Sequence, residues 1–488
     1  MSASTTFGSS GCTFASSALG SDKVRVLGVR GIERLGQLYE FRVVIAHDDG
    51  ALTDNEVSDL LLAPCTLTLG SAAPIHGIAR EVAARETTAS QVATYEIVLV
   101  PTTWLLTVSK VSRLYQAMSV KDMAADVLSR YGLAAHADLR IAASATREFC
   151  VQYKESDWDF LQRWFEHEGF FYWFEHSSSG EKLVVTDDNA STTPIDGDAS
   201  MPYRELAGMT HSEESVFQWR SVQRRIPAHV VLKDYNEQKP LLPIVGQADI
   251  DRKRGFGVFF EYGDNFDTPA AGSDLAQKRA QRFLTEQLTL NGTTDSPRFH
   301  VGHAFELKDH FDEGQNRKYL VTAIQHHVPL PSERDEHGEL TTYRARFEAI
   351  PLSVQFRPER TTPWPSVHGL MHGHVDSDSS GKYSTLDEQG RYRVRFPFDT
   401  TGKKGENCSI WVRMAQHYAG SGYGSHYPLH KGTEVLLAFY DGDPDRPVIV
   451  GSVANALTPS PAAGANASQS VVRTASGIRM VMDDEIGH

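Results

Sequence analysis

The sequence predicts a mainly β protein into which a few helices are inserted, and three observations carry that expectation. Period-two alternation recurs along the chain. Tyr39, Phe41, Val43 and Ile45 alternate with Glu40 and Arg42, while Tyr95, Ile97 and Leu99 alternate with Glu96. Further on, Tyr392, Val394, Phe396 and Phe398 alternate with Arg391, Arg393 and Arg395. Such runs are antiparallel strands with one face in a core and one in water. Gly, Asp and Pro separate them at the spacing of barrels and sandwiches. Helical signals, by contrast, are confined to three segments.

The first residues, MSASTTFGSSGCTFASSALGSDK, have neither a basic start nor an apolar core, so they do not read as a secretory signal. Residues 1–13 are expected to be a flexible lead-in that joins the fold near Cys12 to Phe14. Cys12, Cys65, Cys150 and Cys408 form no CxxC pair and read as reduced thiols of a cytosolic protein. The first helix is expected over 119–131, where Ser119 and Asp122 have capping-box spacing and Gly132 is the stop. The second is expected over 156–168, opened by Ser156 and Asp159 and stopped by Gly169. The third is expected over 273–290, from Ser273 to a stop at Asn291-Gly292.

A faint internal echo accompanies the strands. Cys65–Leu69, Ile75–Ala79 and Tyr95–Val100 end at Pro101, and Ala304–Leu307, Tyr319–Ile324 and Tyr343–Ile350 end at Pro351. Two related β-barrels within residues 12–351 would produce this order. Any two antiparallel domains look alike at this level, so both readings stay open. Pro351, Pro358, Pro363 and Pro365 stiffen a linker over 352–368. A β-domain follows to about Asn455, then a linker of Ala, Ser, Pro, Gly and Asn, and then RTASGIRMVMDDEIGH, which is strand-like.

Composition narrows the function. With 48 basic against 62 acidic residues, the formal charge is −14, which disfavours a nucleic-acid binder. No stretch reaches the ~18–20 apolar residues needed to span a bilayer. His167-Glu168 begins an HExxH pattern, but Phe171 stands where the second His is required. Asp376, Asp378, Ser380, Gly381 and Asp387 match early positions of an EF-hand loop. Asp387 is shorter than the usual Glu and the flanks are strands, so a polar hairpin loop is expected. Asp441, Asp443 and Asp445 fall in a turn stiffened by Pro444 and Pro447. His372 and His374, and His326-His327, lack the Cys or acidic partners of zinc spacing. No GxSxG elbow or phosphate loop is present. The expectation is no catalytic, cofactor-binding or metal-binding residues.

Four ordered segments carry a resemblance. ESDWDFLQRWFEHEGFFYWFEH (155–176), DEQGRYRVRFPFD (387–399), SIWVRMAQHYAGSGYG (409–424) and GTEVLLAFYDGDPDRPVIVGSVAN (432–455) resemble the VgrG spike proteins of type VI secretion systems. With its flanks, the resemblance covers about residues 14 to 455. It implies a phage-hub-like region with two β-barrels over 14–365, an OB-fold domain over 366–456, a linker over 457–470 and the start of a triple-stranded β-helical needle over 471–488. TASGIRMVMDDEIG resembles a first needle repeat, with Asp483, Asp484 and Gly487 in its turn. Only about sixteen residues follow the linker, so either the chain has been cut or its spike is short.

The function this implies is structural: a non-catalytic homotrimer adapting a hexameric Hcp tube to a threefold puncturing tip. Its expected partners are Hcp, a PAAR-type tip protein, effectors or their adaptors and baseplate components, with no nucleic acid. It would be assembled in the cytoplasm and then expelled by the machine. The alternatives are the spike of an extracellular tailocin-like system or contractile phage, and a tail-associated peptidoglycan hydrolase. On the helix at 156–168, Trp158, Leu161 and Phe165 form one apolar stripe and Phe160 and Trp164 a second. The first is expected to fill a barrel core. The second would meet a neighbouring protomer, unless both are internal.

Overall fold

Hydroxyl side chains open all four α-helices of the described residues. In the computed structural model, which describes residues 11–19, 23–70, 72–85, 92–142, 144–178, 180–205, 213–330 and 343–485, Thr53 and Glu56 form a capping box on α1 (Asp54–Leu60). The sequence reading missed this short helix, although T-x-x-E is its signature. Ser119 and Asp122 form the same box on α2 (Val120–Arg130). Ser156 caps α3 (Asp157–Glu168), which stops at left-handed Gly169 with the Phe170 amide donating to the Phe165 carbonyl. The third expected helix is displaced. Thr268 caps α4 (Pro269–Gln287), with proline in its first turn, so the helix starts four residues before Ser273. It also ends earlier, because Leu288–Thr294 pairs as a strand and Asn291-Gly292 lies inside that strand.

The chain forms two units. The first runs to Ser109 and resumes over Ser119–Ala145 and Ser156–Pro363. It holds two copies of one five-stranded arrangement. The first copy is β1 (Val24–Arg34), β2 (Glu40–His47), β3 (Pro64–Thr68), β4 (Ile75–Arg85) and β5 (Ala93–Val100). The second is β6 (Val216–Gln223), β7 (Leu288–Thr294), β8 (His303–Lys308), β9 (Lys318–Val328) and β10 (Arg344–Pro351). Spatial order is β3-β4-β5-β2-β1 in one and β8-β9-β10-β7-β6 in the other.

The two copies share a bulge. In β4 it falls between Ala79 and Glu81, opposite Leu99 and Val98. In β9 it falls between Val321 and Ala323, opposite Ala349 and Glu348. Leu99 and Ala349 each stand two residues before the proline that closes the run, so the irregularity occupies one position in both copies. Bulges are built features rather than noise, and this one favours duplication over general likeness. Cross-strand volumes are also exchanged. Gly31 opposes Phe41, whose ring a Cβ on Gly31 would approach to 2.2 Å, where the second copy pairs Ser221 with Leu290. Conversely Val43 opposes Ile97 where the second copy pairs Gly292 with Phe347.

One joint fuses the copies into a single sheet. β1 pairs antiparallel with the second half of β9, from Val29 opposite Val328 to Arg34 opposite Ala323. Around this sheet, Phe171–Ser177, Gly180–Thr186 and Ala137–Arg140 form a three-stranded layer. Phe171 and Trp173 from it enter the core of the second copy with Phe299, Phe305, Tyr319 and Phe347. A further sheet of His229–Asp234, Ile244–Asp249 and Val258–Tyr262 is covered by α4. There Gly246 and Gly272 touch backbone to backbone, and a Cβ on Gly246 would meet the Gly272 carbonyl oxygen at 1.9 Å.

The second unit comprises Lys110–Met118, Thr146–Glu155 and the chain from Trp364 on. Two segments inside the range 14–365 therefore count with it. The hairpin of Lys110–Ser119 and Thr146–Ser156 contributes Leu114, Phe149 and Val151 to a core shared with Val375, Tyr392, Val394, Phe396, Val435, Leu437 and Ile449. Asp445 fixes the register of that insertion, since its carboxylate accepts the Val151 amide at 2.6 Å. Beyond residue 457 a hairpin pairs Gln469–Arg473 with Arg479–Asp483. Asp483 accepts from Ser468 and Gln469, while Gly487 lies outside the described residues.

Candidate functional site

The joint between the two copies carries a buried polar network. β1 brings Glu33 to it, β9 brings His326, and the loop before β8 brings His300. Glu33 Oε1 lies 2.7 Å from His326 Nε2 and 2.8 Å from His300 Nδ1, and His326 Nδ1 lies 2.7 Å from the Tyr343 hydroxyl. Glu33 and His326 are buried. These distances define one consistent set of protons. Tyr343 donates to His326 Nδ1, His326 Nε2–H donates to Glu33, and His300 Nδ1–H donates to the same carboxylate oxygen.

The charges follow from burial and pairing. Burial by itself would raise the Glu33 carboxyl, but His300, and then His326, hold it well below the usual carboxylate range. Burial would depress His300, and the Glu33 charge overcomes this and raises it. His326 is lowered, chiefly by burial, and so is His303, which also feels His300. At the joint His300 therefore holds its proton more tightly than a free imidazole beside the Glu33 carboxylate, while His326, which shares that carboxylate, holds its proton less tightly.

This arrangement corrects the view that His326 has no acidic partner. Glu33, His300 and His326 are the group of the described residues close enough to share an ion. The geometry fits hydrogen bonds better. A zinc ion bound ~2.0–2.2 Å from each ligand keeps tetrahedral donors farther apart than hydrogen-bond contact. Here both nitrogens touch one carboxylate oxygen.

Aromatic rings extend the network through the first copy. The Phe41 ring lies tilted 5.3 Å from that of His326, Tyr39 sits 5.8 Å from Phe41, and Phe174 and His176 flank Tyr39 at 4.9 and 5.6 Å. The Tyr39 hydroxyl donates to Glu181. His176 Nδ1 accepts the His76 amide at 3.2 Å, and its pKa is pushed down to about 3 by burial, with His300 adding to the effect.

A second network closes the C-terminal end of α3. Arg279 reaches Asp264 at 3.0 Å and the His167 carbonyl at 2.8 Å, and Arg360 reaches Asp264 at 2.8 Å. His167 Nε2 lies 2.9 Å from the Asp264 carbonyl, and Glu168 faces Lys278 at 3.5 Å. His167-Glu168 thus belongs to a helix-end ion-pair network. Glu166 accepts the amides of Thr361 and Thr362, both at 2.9 Å, tying the proline-rich segment to the helix.

Both aromatic stripes of α3 are internal. Phe160 and Trp164 are 0% and 1% exposed in the single chain, which decides for the internal alternative over contact with a neighbouring protomer. Trp158 and Phe165 meet Tyr172 of the strand that follows, and the helix packs as well against α2 and the turn Thr102–Thr107, so more than one of its sides is covered.

The acidic loops are committed to the fold. Asp387 accepts the amides of Gln389 and Arg391 and pairs with the Arg391 guanidinium at 2.7 Å. Burial would raise its carboxyl, but these contacts hold it below the usual range. Asp445 holds Val151, and Asp443 accepts the Asp445 amide. His372 and His374 share one face of Met371–Asp376, with rings 6.4 Å apart.

Comparisons with known proteins agree with this architecture. Residues 32–330 match the family described as phage tail baseplate hub (GPD). Residues 383–453 match the type VI secretion system/phage-baseplate injector OB domain. The type VI secretion system spike proteins VgrG1c and VgrG1a of Pseudomonas aeruginosa are each 30% identical over 470 and 468 residues, 94% of this chain. The chain spans 64% and 72% of their respective lengths. Among solved structures, the Escherichia coli c3393 protein superposes with a TM-score of 0.65 at 23% identity, covering 90% of this chain and 99% of that one. It is described as a type VI secretion component similar to the T4 bacteriophage tail proteins gp27 and gp5.

Proposed function

Since the chain belongs to the phage tail baseplate hub family and to the VgrG spike proteins of type VI secretion systems, we propose that it acts as the trimeric hub and spike of a contractile injection machine. The observation that carries this reading is the duplication. Two equivalent modules per chain become six in a trimer, the number a hexameric tube presents. The hub occupies residues 14–365 apart from the segments 110–118 and 146–155, the OB domain 366–456, and a needle begins at 471–488.

The mechanism is mechanical. Sheath contraction drives the tube, and the spike concentrates that force on a small area of envelope. Its partners are a second and third copy of the chain, the Hcp tube, a PAAR-type tip protein, effectors or their adaptors, and the baseplate. It carries effectors without itself catalysing a reaction, assembles in the cytoplasm and is expelled with the tube. The described helices include none long and apolar enough to cross a membrane.

The C-terminal hairpin supports the trimer. Ile478, Met480 and Met482 are 72%, 57% and 58% exposed in the single chain. A lone two-stranded hairpin with such a face is marginal in water, and gains stability when other chains cover it. Light scattering tests the proposal: the expected particle is a trimer of about 162 kDa, three times the 54.1 kDa chain. Negative-stain images of a mixture with Hcp rings should show threefold particles seated on sixfold ones. A concentration-independent monomer that ignores the rings overturns the reading, and clearing of a cell-wall zymogram overturns its non-catalytic part.

A further inference from the structure

The two copies within a chain are joined by one edge contact, and the same two edges are left over at the ends. β1, the edge strand of the first copy, pairs with β9 of the second. The counterpart of β1 in the second copy is β6, and the counterpart of β9 in the first is β4. Among the described residues, no strand pairs with Glu81–Arg85 of β4 on the side away from β5. Among the described residues, the side of β6 away from β7 carries one bridge, Tyr203 to Val216, and the rest of the strand has no strand partner there.

We propose that β6 of one protomer pairs antiparallel with β4 of the next, repeating the internal β1–β9 joint between chains. The register follows from the strand pairs already described. Gly31 opposes Phe41 as Ser221 opposes Leu290, so Arg30 to Arg34 correspond to Arg220 to Arg224. Ala79 opposes Leu99 as Val321 opposes Ala349, so Ala323 to His327 correspond to Glu81 to Arg85. Within the chain Arg34 opposes Ala323 and Arg30 opposes His327. Between chains, therefore, Arg224 opposes Glu81, Gln223 opposes Val82, Val222 opposes Ala83, Ser221 opposes Ala84 and Arg220 opposes Arg85.

Four features fit this contact. It is head to tail, and heterologous contacts of that kind close into rings when the rotation permits. Open strand edges are a liability that proteins normally cover. The exposure difference also follows the pairing. Ile324, His326 and Glu33 are buried at the internal joint, whereas Glu81, Ala84, Arg85, Arg220, Ser221 and Gln223 are exposed in the single chain. Arg224 opposite Glu81 adds an opposite-charge pair, whereas the exposed Arg220 opposite Arg85 is a like-charge pair that opposes it.

This inference rests on the trimeric reading, and disulfide trapping separates the two. Ser221 and Ala84 are exposed, and Cys65, Cys150 and Cys408 are buried, so background crosslinking comes from Cys12 at most. The full chain carrying S221C and A84C, oxidised and run without reductant, is expected to give covalent dimers and trimers that disappear on reduction. S221C with V82C, two residues out of register, is expected to lose most of that product, and each single variant all of it. A trimer by light scattering that yields no S221C/A84C crosslink, or yields as much with V82C, overturns the strand pairing and leaves the trimer standing. A monomer overturns both.

Discussion

His326 Nε2 lies 2.7 Å from Glu33 Oε1 across the joint of two β-modules, although 293 residues separate them in sequence. The contact does for the joint what a disulfide does elsewhere: it fixes one register between distant strands. A slip by one residue would carry Glu33 to the opposite face and leave both histidines without their acceptor.

Removing the carboxylate should therefore be costly. Glu33→Ala leaves His300 and His326 buried without their shared acceptor, and breaking a buried pair from one side costs ~3–5 kcal/mol. Urea unfolding monitored by circular dichroism should give an unfolding free energy lower by that amount at neutral pH. A change below about 1 kcal/mol would mean that the network contributes little.

The histidines set the direction of the pH dependence. His176, lowered to about 3, and His326 and His303, also lowered, are neutral in the fold and charge more readily when unfolded. Below pH ~6.5 the unfolded chain therefore binds protons that the native chain refuses, which removes stability at up to about 1.4 kcal/mol per pH unit for each group. His300 acts oppositely: its raised pKa contributes stability present below ~6.5 and lost as pH rises through the folded value. Glu33, lowered, contributes above the usual carboxylate range and loses its contribution under strong acid. Three histidines against one predict a melting temperature that falls from pH 7 to pH 5. A flat or rising profile over that interval contradicts the assignment.

The aromatic helix gives a third test. Phe160→Ala and Trp164→Ala each empty a fully buried site and should cost ~3–5 kcal/mol. Their soluble fraction should melt early while keeping the oligomeric state of the parent. Folded monomers from either variant would restore the interface role that burial in the single chain removes.

Calcium should leave the 376–387 loop unaffected. Asp387 already serves two amides and the Arg391 guanidinium. Isothermal titration with calcium chloride is expected to give only heats of dilution. Tight binding abolished by Asp376→Ala would show that the loop rearranges around an ion.

Local signals were legible wherever neighbours in sequence decide the structure. Ser119 with Asp122 and Ser156 with Gly169 set two helices without reference to the rest of the chain, because caps satisfy backbone groups within one turn. Alternation at Tyr95, Ile97 and Leu99 likewise yields a strand whose inward face is buried. The third helix was misplaced where local and distant influences compete. Leu288–Thr294 follows α4 without a break and becomes a strand because β6 and β10 lie on either side to receive its backbone.

The chain's own sequence determined its β character, two of its helices and its kinship with the spike proteins, since each rests on short-range pattern. Tertiary structure alone decided that Glu33 meets His326, that Asp445 anchors Val151, that both stripes of α3 are internal, and that one bulge recurs in both copies. Those outcomes depend on which strands become neighbours after residues hundreds of positions apart close into one sheet. Periodicity records which face of a strand is apolar, but not which partner will cover it.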